Sequence, residues 1–120
     1  MIRFAQRRLI IPQGDTGAFS LPAQGYTPNV EMVAVFSIFN LEKRIFQKEI
    51  HVDSDMISIG FTHEETKDLP VGLYNWDIKM YINPSYKEGL LIDGDEVNSY
   101  YAGFELPECE IALAPIHGRG

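Results

Sequence analysis

The sequence predicts an all-β domain: a single Ig-like antiparallel β-sandwich of about seven to eight strands, with one short helical turn near residues 63–68. Three observations lead there. Apolar residues recur with period two in short runs, and clusters of Gly, Pro, Asn and Asp separate those runs. No segment sustains a helical period beyond a single turn. The 120 residues form one domain, with residues 1–5 read as a loose basic arm and 115–120 as a loose tail.

The elements follow in order. Residues 6–11 read as a first strand, stopped by Pro12-Gln13-Gly14-Asp15. Residues 18–21 form a second short strand ending at Pro22, and 25–29 form a loop. Residues 30–39 make a long strand with Val30, Met32, Ala34, Phe36 and Ile38 on one face. Its other face carries Val33, Val35 and Phe39, so that face is expected to be covered too, by a neighbouring subunit for example. The chain turns at 40–43, returns over 44–50, turns again at Asp53-Ser54-Asp55, and alternates over 56–61 with Ile57, Ile59 and Phe61 inward. Residues 73–82 are the cleanest strand, with Tyr74, Trp76, Ile78, Met80 and Ile82 pointing one way. Residues 85–98 read as a polar loop, 99–106 as a final core strand and 110–113 as an edge strand.

Between the strands ending at Phe61 and beginning at Leu73 the alternation breaks. Thr62 and Glu65 have the spacing of a capping box, and Pro70 and Gly72 restart an extended chain. A helical turn followed by a strand that opens on Tyr is the layout of a tyrosine corner, in which the phenol bonds backbone a few residues upstream. Tyr74 takes that role, and Trp76 is the central core aromatic.

Composition bounds the function. Hydrophobic residues at 45% and charged residues at 22% are ordinary for a globular domain. No apolar run approaches the ~20 residues of a membrane span, and the first ten residues hold no secretory core segment. The expectation is a chain made in a cytoplasm, with no membrane partner. The net charge is −7, and Arg3, Arg7 and Arg8 precede every acidic residue, which leaves positions 9–120 strongly acidic. Such a surface repels phosphate backbones, so nucleic acid is not an expected partner.

No constellation for chemistry emerges. His51, His63 and His117 share no metal-binding spacing. Cys109 lies between Glu108 and Glu110, whose charges oppose a thiolate. Asp53-Ser54-Asp55 and Asp93-Gly94-Asp95-Glu96 lack the pattern of a calcium loop, and Glu64 and Glu65 diverge on a helical turn. Asp15-Thr16-Gly17 matches the triplet of aspartic proteases, yet its flanks do not, and a structural turn is expected. In that turn Asp15 bonds backbone amides and Gly17 is free to adopt positive φ. No catalytic, cofactor or metal residues are predicted. Tyr81, Tyr86, Tyr100 and Tyr101 gather near the last hairpin, and with Arg3, Arg7 and Arg8 they are the candidate interface residues.

Several segments together resemble a known class. Gln13-Gly14-Asp15-Thr16-Gly17, Phe46-Gln47-Lys48-Glu49, Phe61-Thr62-His63-Glu64-Glu65-Thr66 and Leu69-Pro70-x-Gly72-x-Tyr74-x-Trp76-Asp77-Ile78 are similar to phage and prophage structural proteins of Gram-positive bacteria. The resemblance is to the N-terminal β-sandwich of baseplate upper proteins and spans positions 8–110. It implies a non-enzymatic virion component, a baseplate or tail accessory or adaptor, whose partners are other virion proteins and further copies of itself. The alternative is a carbohydrate-binding module that stacks cell-surface glycans on Tyr81, Tyr86 and Tyr100.

Overall fold

Period-two alternation places every second side chain on one side of a pleated strand, so each such run must find a facing layer. The computed structural model, which describes residues 2–5, 8–23, 25–88, 90–100 and 107–113, shows how the layers form. Its elements are β1 (Arg3–Ala5), β2 (Arg8–Pro12), β3 (Gly17–Pro22), β4 (Met32–Asn40), β5 (Lys43–Val52), β6 (Met56–Phe61), α1 (His63–Thr66), β7 (Gly72–Lys87), β8 (Leu90–Tyr100) and β9 (Glu108–Ala112). The chain is an all-β sandwich. A seven-stranded sheet runs β1-β2-β9-β7-β4-β5, with β8 also paired to β7, and a two-stranded sheet is made of β3 and β6.

Pairing is antiparallel except between β2 and β9, which run parallel from Leu9↔Cys109 to Pro12↔Ala112. The long strand β7 holds the large sheet together. Its first residues, Gly72 to Asn75, pair with β9, and Ile78 onward pair with β8. On its other side Asn75 to Ile82 pair with β4.

Phe19, Leu21, Ile57, Ile59 and Phe61 from the small sheet bury against Leu9, Ile11, Met32, Ala34, Phe36, Ile38, Trp76, Ile78, Met80 and Ile111 from the large one. Trp76 is fully buried at the centre, with ring centroids 5.7 Å from Phe4, 5.9 Å from Phe19 and 5.9 Å from Phe36. These tilted and edge-on pairs suit the ring quadrupoles.

Three expectations need correction. Arg3–Ala5, read as part of a loose arm, form β1, because Phe4 packs 4.9 Å from Phe19. Residues 85–98, read as a polar loop, are the two arms of the β7–β8 hairpin, whose ladder runs out to Lys87↔Leu90. The hydrogen-bonded ladder outweighed the polar composition there. Residues 110–113 were expected at an edge, yet β9 is flanked by β2 and β7. The final core strand expected over 99–106 lies outside the described residues from 101 onward, and the tail at 115–120 lies outside them entirely.

Candidate interaction surfaces

Two distant segments interlock at one corner of the sandwich. α1 begins with the capping box: Glu65 N–H donates to Thr62 Oγ1 at 3.2 Å, and Thr62 N–H donates to Glu65 Oε1 at 2.9 Å. The loop after β2 lies against this turn. Gln13 Nε2 donates to Leu69 O at 2.8 Å, His63 Nδ1 donates to Gly14 O at 2.6 Å, and Thr66 Oγ1 donates to Asp15 O at 2.8 Å. Gly14 sits at φ +75°, and a Cβ there would lie 3.1 Å from the His63 ring, so glycine permits both the turn and the close approach. Asp15 Oδ1 accepts from Thr16 N–H at 3.0 Å, and Gly17 takes φ +155°.

Lys48 ties β5 into the same corner. Its Nζ donates to Gly60 O at 2.6 Å and to Glu65 Oε1 and Oε2 at 2.9 and 3.0 Å. Burial raises the Glu65 carboxyl, but the hydrogen bonds from Lys48 and the Thr62 backbone outweigh it, and the group ends below its ordinary range. Tyr74 Oη donates to Pro70 O at 2.9 Å, the bond of a tyrosine corner. Gln13, Lys48, Thr62, Thr66 and Tyr74 thus bring together the segments on which the resemblance was drawn. Glu64 faces elsewhere, onto Lys67 at 2.7 Å.

Beside this corner lies a shallow groove of about 300 Å³, lined by Arg8, Val71, Gly72, Leu73, Glu110, Ile111, Ala112 and Leu113. Val71, Leu73 and Leu113 are 52%, 58% and 72% exposed, a cluster of apolar side chains left in water. Arg8 bonds Glu110 at 2.7 Å and lies 3.6 Å from Glu108, so its charge is met within the chain. A separate exposed apolar residue, Leu41, is 88% exposed at the tip of the β4–β5 hairpin and holds φ +57°, where leucine is strained.

The remaining sequence candidates scatter. Arg3 is exposed on β1, Tyr81 is half-buried on β7, and Tyr86 is 42% exposed with its hydroxyl donated to Glu49 Oε2 at 3.0 Å. Arg7 and Tyr101 lie outside the described residues, as does the side chain of Tyr100. His51 is exposed on β5, three residues past Lys48, and His117 lies outside the described residues. Asp53 and Asp55 sit in a turn in which Tyr26 Oη donates to Asp53 O and Ala23 N–H to Asp55 O. Cys109 is fully buried, and burial, with the Glu110 charge as a lesser cause, pushes its thiol up to about 12. Among the described residues no group of three His, Cys, Asp or Glu side chains could hold a metal ion, and no helix is long and apolar enough to cross a membrane.

No protein-family model matches the chain, and no curated protein matches it. Sequence reasoning missed Gln13, Lys48 and Thr66 as a set, because they are separated by tens of residues and each is individually ordinary. It also missed the groove. The one local signal was Val71 and Leu73, apolar residues two apart on the side of the strand opposite the core-facing set.

Proposed function

We propose that this protein is a non-enzymatic virion component of a phage or prophage, a baseplate or tail accessory or adaptor that works by protein–protein assembly. The observation that carries the reading is the exposed cluster of Val71, Leu73 and Leu113 beside a cross-braced corner. A rigid apolar patch with charged neighbours, here Arg8 and Glu110, is the anatomy of a protein interface. Rigidity matters because side chains already held in place lose less entropy on docking. The acidic surface favours a partner with a basic counterpart and sets the approach between the two. The resemblance of the corner segments to baseplate sandwich domains supplies the setting, and the partners are then other virion proteins and copies of this chain.

The test is incorporation. Particles are purified from cells carrying the prophage and a tagged chain, either wild type or Leu73→Glu, and the tag is quantified in virions and in the cell extract. The proposal expects the wild-type chain in particles and Leu73→Glu largely excluded at equal cellular level. Particles devoid of the wild-type chain overturn it.

A further inference from the structure

A two-residue hairpin turn that needs positive φ at its first position takes glycine there, because a side chain is strained in the left-handed region. The β4–β5 turn breaks this rule. Asn40↔Lys43 is its closing pair, so Leu41 and Glu42 alone make the turn, and of the two only Leu41 holds positive φ, at +57°. Leu41 is also 88% exposed, so its side chain gains no packing in return. Strained backbone and an apolar side chain in water coincide at one residue. Such a residue marks a place shaped for something other than folding.

The groove beside Val71, Leu73 and Leu113 stands at the same end of the large sheet. Phe39↔Asn75 ends the β4–β7 ladder, so two residues further along each strand Leu41 comes level with Leu73. On the other side of β7, Leu73 pairs with Glu110 of β9. The strand spacing of ~4.8 Å puts the tip about 5 Å from β7 and about 10 Å from β9. The tip does not fill its own groove, since Leu41 and Leu73 are both largely exposed.

The charges around the two features are opposite. Lys43 and Arg44 flank the tip against Glu42, which leaves it one positive charge in a chain whose net charge is −7. Arg44 lies 5.6 Å from the centre of the Phe39 ring and donates to Gln47 Oε1 at 2.8 Å. Among the described residues no carboxylate pairs with Arg44 or Lys43. At the groove Arg8 stands between Glu108 and Glu110, which leaves one negative charge.

We propose that the Leu41 tip of one copy docks into the Val71, Leu73 and Leu113 groove of a second copy, whose own tip docks in return. Because tip and groove share one end of the sheet, a two-fold axis makes both contacts at once and the assembly closes at two. Leu41 leaves water against the groove's apolar side chains, and Lys43 approaches the Glu108 and Glu110 carboxylates. The inference rests on the reading of this patch as a protein interface, and it names the occupant.

Sedimentation across a concentration series tests it on the wild type, Leu41→Asn, Leu73→Asn, Lys43→Glu and an equimolar mixture of the two asparagine variants. The wild type is expected to dimerise. Leu41→Asn and Leu73→Asn should each weaken the dimer on the order of a hundredfold, about tenfold for each of two leucines withdrawn from the contact. Asparagine tolerates positive φ, so Leu41→Asn is expected to melt above the wild type, which separates lost association from misfolding. Lys43→Glu is expected to weaken the dimer about tenfold. The mixture decides the geometry. Its heterodimer should be tighter than either variant forms with itself, because the intact Leu41 of one chain meets the intact groove of the other. A contact of Leu41 on Leu41 gives no such recovery. A wild type that stays monomeric overturns the proposal, as does an unchanged dimer in Leu41→Asn or Lys43→Glu, or a mixture no tighter than its components. If the wild type is monomeric while Leu73→Glu is still excluded from particles, self-docking falls and the interface reading stands. If the dimer depends on Leu41 while Leu73→Glu enters particles as the wild type does, self-docking stands and the virion reading falls.

Discussion

Replacing Thr66 by valine isolates one of the bonds that fasten the loop after β2 to α1. Thr66 is completely buried, and its Oγ1 lies 2.8 Å from Asp15 O but 3.4 Å from Thr62 O, so the first bond dominates. Valine keeps the shape and the helical preference while removing the hydroxyl. The loss comprises a net hydrogen bond of about 1 kcal/mol and a share of the ~1–3 kcal/mol that follows when a buried acceptor loses its donor. The sum is about 2 kcal/mol. For a chain of this length 1 kcal/mol moves the melting temperature by about 4 °C, so Thr66→Val is expected to melt about 8 °C lower. Thr66→Ser keeps the donor and loses one methyl group, worth about 1 kcal/mol. The expected order of stability is therefore wild type, Thr66→Ser, Thr66→Val, measured by thermal and urea unfolding with Trp76 fluorescence. Thr66→Val at or above Thr66→Ser would refute the interlock as a source of stability.

Further outcomes follow from the same geometry. Tyr74→Phe keeps the ring and loses the bond to Pro70, and is expected to cost about 1 kcal/mol in urea unfolding. Glu65 has a folded-state pKa below its unfolded value, so its contribution is complete above the ordinary carboxylate range and is lost as pH falls through the folded value. The stability gap between wild type and Glu65→Gln should accordingly be widest near neutral pH and narrow in acid, as pH-dependent unfolding curves will show. Leu41→Asn places a residue tolerant of positive φ at an exposed hairpin tip, and is expected to stabilise the fold by about 0.5–1 kcal/mol in thermal unfolding. Cys109, with its thiol pushed up to about 12, should resist a thiol reagent at pH 8 in the native state and react fully in denaturant.

The features legible in the sequence are those whose cause is local. The capping box at Thr62 and Glu65 needs only a spacing of three, and the tyrosine corner needs only a phenol four residues after a turn. Core positions such as Ile57, Ile59, Trp76 and Ile78 follow from pleat alternation, because one face of each strand had to meet another layer. The reading failed over residues 85–98, where polar side chains and glycines disguised a ladder held by backbone bonds that carry no signature in composition.

By itself, then, the sequence determined an all-β sandwich, its buried faces and its corner, since alternation and short-range bonds are written in neighbouring residues. Only the tertiary structure decided that β2 runs parallel to β9, that Gln13, Gly14 and Asp15 lock onto Leu69, His63 and Thr66, and that Tyr86 bonds Glu49. Each of those pairings joins residues 37 or more positions apart. At such separations no local preference selects a partner. The choice falls to whichever arrangement buries the apolar faces of the two sheets while satisfying the backbone groups left over at their edges.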